Sequence, residues 1–415
     1  MRRLLRKILP EHFFGAYHYI LALLGALLYR FPSRKIKVVG VTGTNGKTTT
    51  TEMINLILER AGYKTALVNS IRFKIAQEEE INKLKMTMPG RFRIQKFLRK
   101  GVNKKCHYAI LEVTSEGIKQ HRHRFIDFEA AIFTNLAPEH IESHGSFERY
   151  KEAKGELFRK TKNIHIVNLE DGYSSYFLKI PSRKKITFGL EKGDFNLKNT
   201  GLKLKVPGRF NLYNGLAAFS FALSQGVESE LAKKALLDFS GVPGRMEEVI
   251  SAPFKVFVDY AFTPNALEKV YQELKEDFQP NKMICVLGAC GGGRDKWKRP
   301  VLGKIAREHC QEIIIANEDP YDENPMAIIN QVAEGAGERA FKILDRREAI
   351  RKALELARPG DLVVITGKGC EPWICLAKGK KVSWDDRRVV KEEFERLQGE
   401  RVDKDNKDNR RRIEK

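Results

Sequence analysis

Short runs of β-branched and apolar residues alternate with polar or amphipathic stretches along most of this chain, a pattern that predicts buried strands separated by helices. The first such run, KIKVVGVTG (35–43), leads into a glycine-rich turn and a helix starting near Thr48. TALVNS (65–70), HYAILEV (107–113) and AAIFTNL (130–136) read as buried parallel strands, each followed by a loop or helix. A second alternating series begins near Lys255 with KVFVDYA and continues through KMICVLGA, EIIIANE and DLVVITGKG. The turn GVPGR (241–245) is the expected boundary between the two series. The chain therefore reads as α/β, with an apolar helical region at 1–37, a central domain at 38–240, a C-terminal domain at 241–395 and a charged tail at 396–415. That tail is almost wholly polar, so fraying or disorder is expected there.

The first region breaks the alternation. FFGAYHYILALLGALLYRF (13–31) is apolar over about 19 residues, near the length that spans a bilayer. Arg2, Arg3, Arg6 and Lys7 precede it and Arg30, Arg34, Lys35 and Lys37 follow, so the flanking charge assigns no orientation. His18, two interior tyrosines and two glycines weaken a spanning role. A helix packed on the next domain is the preferred reading, and peripheral membrane contact through 13–31 is the sharper alternative.

Composition adds two constraints. At 415 residues the chain can hold two or three domains, each with its own core. A net charge of +22 raises nucleic-acid binding, but the basic residues are spread along the chain without aromatic interleaving. No nucleic-acid partner is expected; a basic surface that attracts anionic substrates or lipid headgroups accounts for the charge. The six cysteines show no metal-ligand spacing, and most lie in or near apolar runs, which suits reduced thiols in a cytoplasmic protein.

The candidate chemistry starts in the segment Gly40-Val41-Thr42-Gly43-Thr44-Asn45-Gly46-Lys47-Thr48, followed by Thr49, between a strand and a helix. Glycines let the backbone curl so that its N–H groups face phosphate oxygens, Lys47 reaches the terminal phosphates, and Thr48 can hold Mg²⁺. The usual phosphate-loop spacing has glycine where Val41 stands, so this is a variant. A nucleotide site alone fits a kinase, hydrolase or switch as well as a ligase.

Further segments resemble the Mur ligase family, above all its branch that adds the third residue of the peptidoglycan stem to UDP-N-acetylmuramoyl-dipeptide. They are TGTNGKTTT (42–50), EVTSEGIKQHR (112–122), TNLAPEHIESHGSFERYKEAKGELF (134–158), GRFNLYNGLAA (208–218), GVPGRME (241–247), VDYAFTP (258–264), GGGRDKWKRP (291–300) and GKGCE (367–371). The resemblance implies a P-loop ATPase central domain, mostly parallel in its sheet, joined to a Rossmann-like C-terminal domain. It implies an ATP- and Mg²⁺-dependent ligase that activates a carboxylate as an acyl phosphate and joins it to the amine of a free amino acid. Glu112 and Thr48 would share the metal, His140 would be a further ligand, and Lys154 would be carbamylated to position metal at the γ-phosphate. Asn211 and Asn214 would face adenine, with Arg245 and Asp259 at the nucleotide's phosphate and ribose. Thr87, Thr114, Gln120 and Arg122 would hold the muramoyl part of the acceptor, while Arg294, Glu318, Asp319, Tyr321, Gly367 and Glu371 would read the amino acid.

Departures from the family pattern modify this picture. Phe262 stands where histidine is common, and Met88 replaces the second threonine of a usual pair. Fewer than 40 residues precede the phosphate loop, too few for the family's UDP-binding domain, so a lipid-linked or otherwise altered acceptor enters as an alternative. Glu318-Asp319-Pro320-Tyr321 occupies the place of an Asp-Asn-Pro-Arg motif, and losing that arginine favours lysine or another basic diamine over diaminopimelate. The rivals are a ligase of the same fold making folyl-polyglutamate or polyglutamate, and a non-catalytic nucleotide-binding scaffold.

Overall fold

A computed structural model describes residues 11–84, 86–139 and 141–413. The chain divides into two compact units, Met1–Ser240 and Gly241–Lys415.

The first unit is built on an eight-stranded sheet. Its strands are β1 (Lys37–Thr42), β2 (Thr65–Val68), β3 (Arg72–Ile75), β4 (Glu78–Ile81), β5 (Tyr108–Glu112), β6 (Phe128–Phe133), β7 (Ile164–Asn168) and β8 (Lys184–Phe188), in spatial order β4-β3-β2-β5-β1-β6-β7-β8. All pairings are parallel except those of β3 and β4, which continue the sheet as an antiparallel edge. β1, β2 and β5 are buried almost throughout because helices cover both faces, as parallel sheets require. The polar edge strand β4 (EEEI) is exposed, which blunts the sheet against further pairing.

Six helices of this unit bear on the site: α1 (Glu11–Leu28), α2 (Lys47–Arg60), α3 (Arg91–Asn103), α4 (Ser115–Lys119), α5 (Phe147–Lys160) and α6 (Arg209–Ser224). α1 packs on α3 through its small residues: Ala22 and Ala26 are buried, and a Cβ at Gly25 would lie 3.4 Å from the Arg91 carbonyl. Arg99 of α3 anchors the end of α1 by donating to the Tyr29 carbonyl at 3.0 and 2.7 Å. The opposite face of α1 stays apolar and exposed at Tyr17, Ile20, Leu24, Leu27 and Leu28. Among the described residues no helix is long and apolar enough to cross a membrane.

The second unit carries a six-stranded sheet of β9 (Glu247–Ile250), β10 (Lys255–Asp259), β11 (Met283–Leu287), β12 (Glu312–Ala316), β13 (Phe341–Ile343) and β14 (Leu362–Thr366). The order is β13-β12-β11-β14-β10-β9, with only β9 antiparallel. The chain moves from β11 outward to β13 and then returns to β14, so strand order reverses beside β11 and β14. In open α/β sheets ligands bind at the carboxyl ends of strands at such a reversal. A small hairpin, β15 (Trp373–Cys375) with β16 (Lys381–Ser383), follows β14.

The C-terminal segment corrects the sequence-based expectation. Asp386–Ile413 is one helix, so residues 396–413 continue it where a frayed tail was expected. Glu, Lys and Arg are good helix formers, and Arg388 reaches Glu392 one turn on at 2.9 Å. Arg351, from the helix Arg346–Leu356, also clasps Glu400 with two hydrogen bonds of 2.9 and 2.7 Å. The start of this long helix is fixed more firmly, since Arg346 and Asp386 form a fully buried bidentate pair at 2.8 and 2.7 Å.

Candidate active site

The turn from β1 into α2 has the form of a phosphate cradle. Gly43 has φ +154° and Gly46 φ +81°; a Cβ at Gly46 would come 2.2 Å from the Asn214 side-chain oxygen. A Cβ at Gly43 would likewise come 1.9 Å from Thr134 Oγ1, so neither position admits a side chain and the tight curl of the loop depends on glycine. The loop is held from outside by the segment after β6: Thr134 Oγ1 donates to the Asn45 carbonyl at 2.7 Å, and Asn45 N–H donates to Asn135 Oδ1 at 2.9 Å. Thr44 shares a 3.1 Å hydroxyl contact with Tyr150. Lys47 folds back on the loop, donating to the Gly43 and Thr44 carbonyls at 3.0 and 2.8 Å. Thr49 is buried in the first turn of α2.

At the mouth of this loop Thr48 Oγ1 donates to Glu112 Oε2 at 2.9 Å, and the Ser70 backbone N–H donates to the same oxygen at 3.0 Å. Parallel pairing of β1 with β5 sets Val41 opposite Glu112, which brings the carboxylate to the start of α2. Among the described residues no three His, Cys, Asp or Glu side chains are grouped to hold a metal by themselves. A hydroxyl and a carboxylate nonetheless suit Mg²⁺, which keeps several waters and takes the rest of its shell from substrate phosphates. His140 lies outside the described residues.

Lys154 is a buried lysine beside the loop. It is fully buried on α5, a helix capped by Ser146, and its Nζ donates to the Gly43 carbonyl at 2.7 Å. Burial, reinforced by the nearby Lys47 charge, holds its pKa well below the ordinary lysine value; Glu112 works in the opposite direction. The amine is thus driven toward its neutral, nucleophilic form.

Asn214 Oδ1 accepts from Thr50 Oγ1 at 3.3 Å, and Asn211 lies one turn before it on α6, which packs on α2. Both asparagines therefore stand beside the phosphate loop. Around α4, Thr114 caps the helix by accepting from Gly117 N–H at 3.1 Å. Arg122 donates to Gln120 Oε1 at 2.8 Å and to the Met88 carbonyl. Thr87, half-buried, directly precedes Met88 in the chain.

In the second unit, Asp259 ends β10 and accepts from the Met246 and Ala261 amides, each at 2.6 Å. Burial raises its pKa against the pull of Arg245, whose guanidinium lies over the Tyr260 ring at 4.2 Å. Glu318, Asp319 and Glu371 converge at the strand reversal: a Cβ at Gly367 would lie 2.5 Å from Glu318 Oε2, and the next residue, Lys368, bonds both Asp319 and Glu371. Glu318 accepts from the Cys290 thiol at 2.8 Å, its other oxygen has no hydrogen-bond partner, and burial pushes its pKa up. Tyr321 adopts φ 51° with its ring against Gly292, and Arg294 lies within electrostatic reach of Tyr260, Tyr321 and Glu371.

Lys368 changes the meaning of this acidic group. Fully buried, it donates to Asp319 at 2.9 Å and to Glu371 at 2.6 Å, so two of the three carboxylates already have a cation. Sequence reasoning assigned Gly367 and Glu371 around it and passed over the lysine itself. Its signal was a GKG turn at the end of a buried strand. Ser70 and Tyr150 were also missed: Ser70 lies outside the family motifs, and Tyr150 lies inside one of them (134–158) but was given no role there.

The profile of the Mur ligase middle domain matches residues 41–222, and that of the Mur ligase, glutamate ligase domain matches 244–369. The chain is 39% identical over 401 residues to a UDP-N-acetylmuramoyl-L-alanyl-D-glutamate–2,6-diaminopimelate ligase of Syntrophomonas wolfei, covering 90% of this chain and 81% of that protein. It belongs to the Mur ligase family. It is accordingly an ATP-dependent, amide-forming ligase. A protein of the same description from Aquifex aeolicus is 37% identical, covering 87% of this chain and 78% of the relative. Among solved structures, a ligase of that description aligns with TM-score 0.57 at 28% identity, over 88% of this chain and 79% of the other. Folylpolyglutamate synthase of Mycobacterium tuberculosis aligns at TM-score 0.68 but 15% identity, over 84% of this chain and 92% of the other, a likeness of fold alone.

Proposed function

We propose that this Mur ligase adds an amino acid to a UDP-N-acetylmuramoyl-peptide, through an acyl phosphate, during synthesis of the peptidoglycan precursor. The observation that carries the reading is the meeting of Lys154, Lys47 and the Thr48–Glu112 pair around one phosphate loop. A carboxylate is a poor electrophile. In this reading a carboxylate oxygen of the acceptor attacks the γ-phosphorus of ATP and ADP leaves; the amino acid's nitrogen then attacks the carbonyl carbon and phosphate leaves. Lys47 and the loop amides balance the charge that builds on the phosphoryl oxygens. Mg²⁺, held by Thr48 and Glu112 with His140, would screen the phosphates from one another.

Burial and the Lys47 charge push Lys154 toward the neutral form that carbamate formation requires. A neutral buried Nζ can attack CO₂, forming an N–C bond and releasing a proton, and the product is a carboxylate aimed at the loop. Thr87, Thr114, Gln120 and Arg122 are assigned to the acceptor, Asn211, Asn214, Arg245 and Asp259 to the nucleotide, and Arg294 to the α-carboxylate of the amino acid. Diaminopimelate is named for the relatives. For this chain the unpaired oxygen of Glu318 favours a cationic group on the incoming side chain, while Lys368 weakens the acidic character that Asp319 and Glu371 would otherwise add.

The test is phosphate release from ATP with Mg²⁺ and UDP-N-acetylmuramoyl-dipeptide, screened against lysine, diaminopimelate, ornithine and glutamate. Release that requires both acceptor and one amino acid, with the amide identified by mass, supports the reading. Turnover only with a folate-type or lipid-linked acceptor would replace the substrate and keep the chemistry.

A second reading concerns location. Tyr17, Ile20, Leu24, Leu27 and Leu28 recur at helical spacing on the exposed face of α1, with Leu28 64% exposed, and Arg34 and Lys35 follow. An apolar stripe with basic flanks suits peripheral contact with anionic lipid. Flotation with anionic vesicles checks this: binding that survives Leu24→Glu with Leu27→Glu would remove the stripe from the explanation.

A further inference from the structure

The patch assigned to the acceptor extends onto α1. Arg91 opens α3, and its Nη2 meets Nδ1 of His18 on α1, while its Nε donates to the Gln120 carbonyl at 2.9 Å. Gln120 in turn accepts from Arg122 through its side chain at 2.8 Å. Tyr19, one residue beyond His18, packs on the rings of His121 and Phe125 at centroid distances of 6.1 and 5.2 Å. α1 is therefore joined to both elements that carry these cations.

The charge in this patch is poorly balanced. Arg91, Arg122 and Arg124 gather with His18, His121 and the buried His123. The carboxylates facing them are Glu116, which also pairs with Ser143, and Glu156, 3.7 Å from Arg124. Nε of Arg122 and Nε of Arg124 are buried without hydrogen-bond partners, as are both ring nitrogens of His123. Arg91 and Arg122 both donate to Gln120, which holds the two guanidiniums close together, and burial and then Arg91 depress the pKa of Arg122. Gathering like charges costs free energy unless an anion joins them.

We infer that His18 and Arg91 form, with Arg122, a subsite for a phosphoryl group of the acceptor, with His18 acting as a positioning residue for the Arg91 guanidinium. A guanidinium fork matches phosphate oxygens bidentately, and a second fork beside it suits a diphosphate better than a single carboxylate. The inference rests on the ligase reading for the identity of the acceptor, but the subsite can be measured without turnover. A diphosphate of this kind is carried by nucleotide-linked and by lipid-linked acceptors alike.

The experiment is binding of inorganic pyrophosphate to the full chain, by calorimetry, with the phosphate loop saturated by a non-hydrolysable ATP analogue. The wild type should bind, and Arg91→Gln should weaken binding by about tenfold, the loss of one charge-assisted contact. His18→Ala should weaken it less, and Arg91→Lys should restore part of it. No binding by the wild type, or equal binding by a folded Arg91→Gln, overturns the proposal. Competition by UDP-N-acetylglucosamine but not farnesyl diphosphate assigns the group to a nucleotide, and the reverse assigns it to a lipid. In turnover, Arg91→Gln should raise KM for UDP-N-acetylmuramoyl-dipeptide and leave KM for ATP and kcat unchanged. A wild type inactive with every muramoyl acceptor would sink the functional reading while the pyrophosphate result still decides the subsite.

Discussion

Lys154 Nζ and the carbonyl oxygen of Gly43 lie 2.7 Å apart, although 111 positions separate them in the chain. The contact places a buried amine against the wall of the phosphate loop, where neither its neutral nor its charged form is solvated by water. Replacing Lys154 by Ala or Arg is expected to lower ligation by about 10²–10³-fold, the scale of losing one charge-stabilising group. If the carbamate forms, CO₂ depletion should reduce wild-type activity and added bicarbonate should restore it. Near-normal turnover by Lys154→Ala would refute the assignment.

Gly46 admits no side chain. With φ +81° and a Cβ position 2.2 Å from Asn214 Oδ1, Gly46→Ala should displace Asn214 or open the loop. A loss of roughly 1–3 kcal/mol of stability is expected, along with a loss of nucleotide affinity. Thermal melting with and without ATP separates the two effects: unchanged stabilisation by ATP would show that the loop tolerates the methyl group.

The buried pair of Arg346 with Asp386 ties the helix Arg346–Leu356 to the first turn of the C-terminal helix. Asp386→Ala leaves a guanidinium buried without its partner and should cost about 3–5 kcal/mol. A double variant that also removes Arg346 should recover part of that loss. Chemical denaturation of the single and double variants measures the coupling.

His123 makes stability depend on pH. Burial, aided by the Arg124 charge, pushes its pKa from the ordinary 6.5 down to about 3. Between these values the unfolded chain takes up a proton that the native protein refuses, so stability falls as pH drops below 6.5. The contribution is roughly 1.4 kcal/mol per pH unit across that window. His123→Asn should flatten the slope between pH 6 and 4, and an unaltered slope would assign the acid sensitivity to other groups. An anion bound at the neighbouring arginines would shift the native value upward and narrow the window.

Much of the fold was legible because its signals are local. Runs such as KVVGVT and EIIIA are apolar at every other position and at those between, which only a strand buried on both faces tolerates. The phosphate loop was legible for a similar reason, since glycines at 43 and 46 and the Lys47-Thr48 pair follow a strand directly. The exposed strand β4 and the helical continuation past Arg396 were not, because polarity alone says nothing about pairing or about ion pairs such as that of Arg351 with Glu400.

The sequence by itself determined the succession of strands and helices, the phosphate loop and the family motifs, for these are properties of neighbouring residues. Only the tertiary structure decided which of the 75 Lys and Arg residues are unlike the rest. Lys154 becomes a buried amine because α5 lies across the β1–α2 turn, and Lys368 neutralises Asp319 because β12 and β14 end at the same edge of a sheet. Arg91 meets His18 because Gly25 and Ala22 let α1 approach α3. Burial and charge proximity depend on elements far apart in the chain, so no reading of adjacent residues contains them.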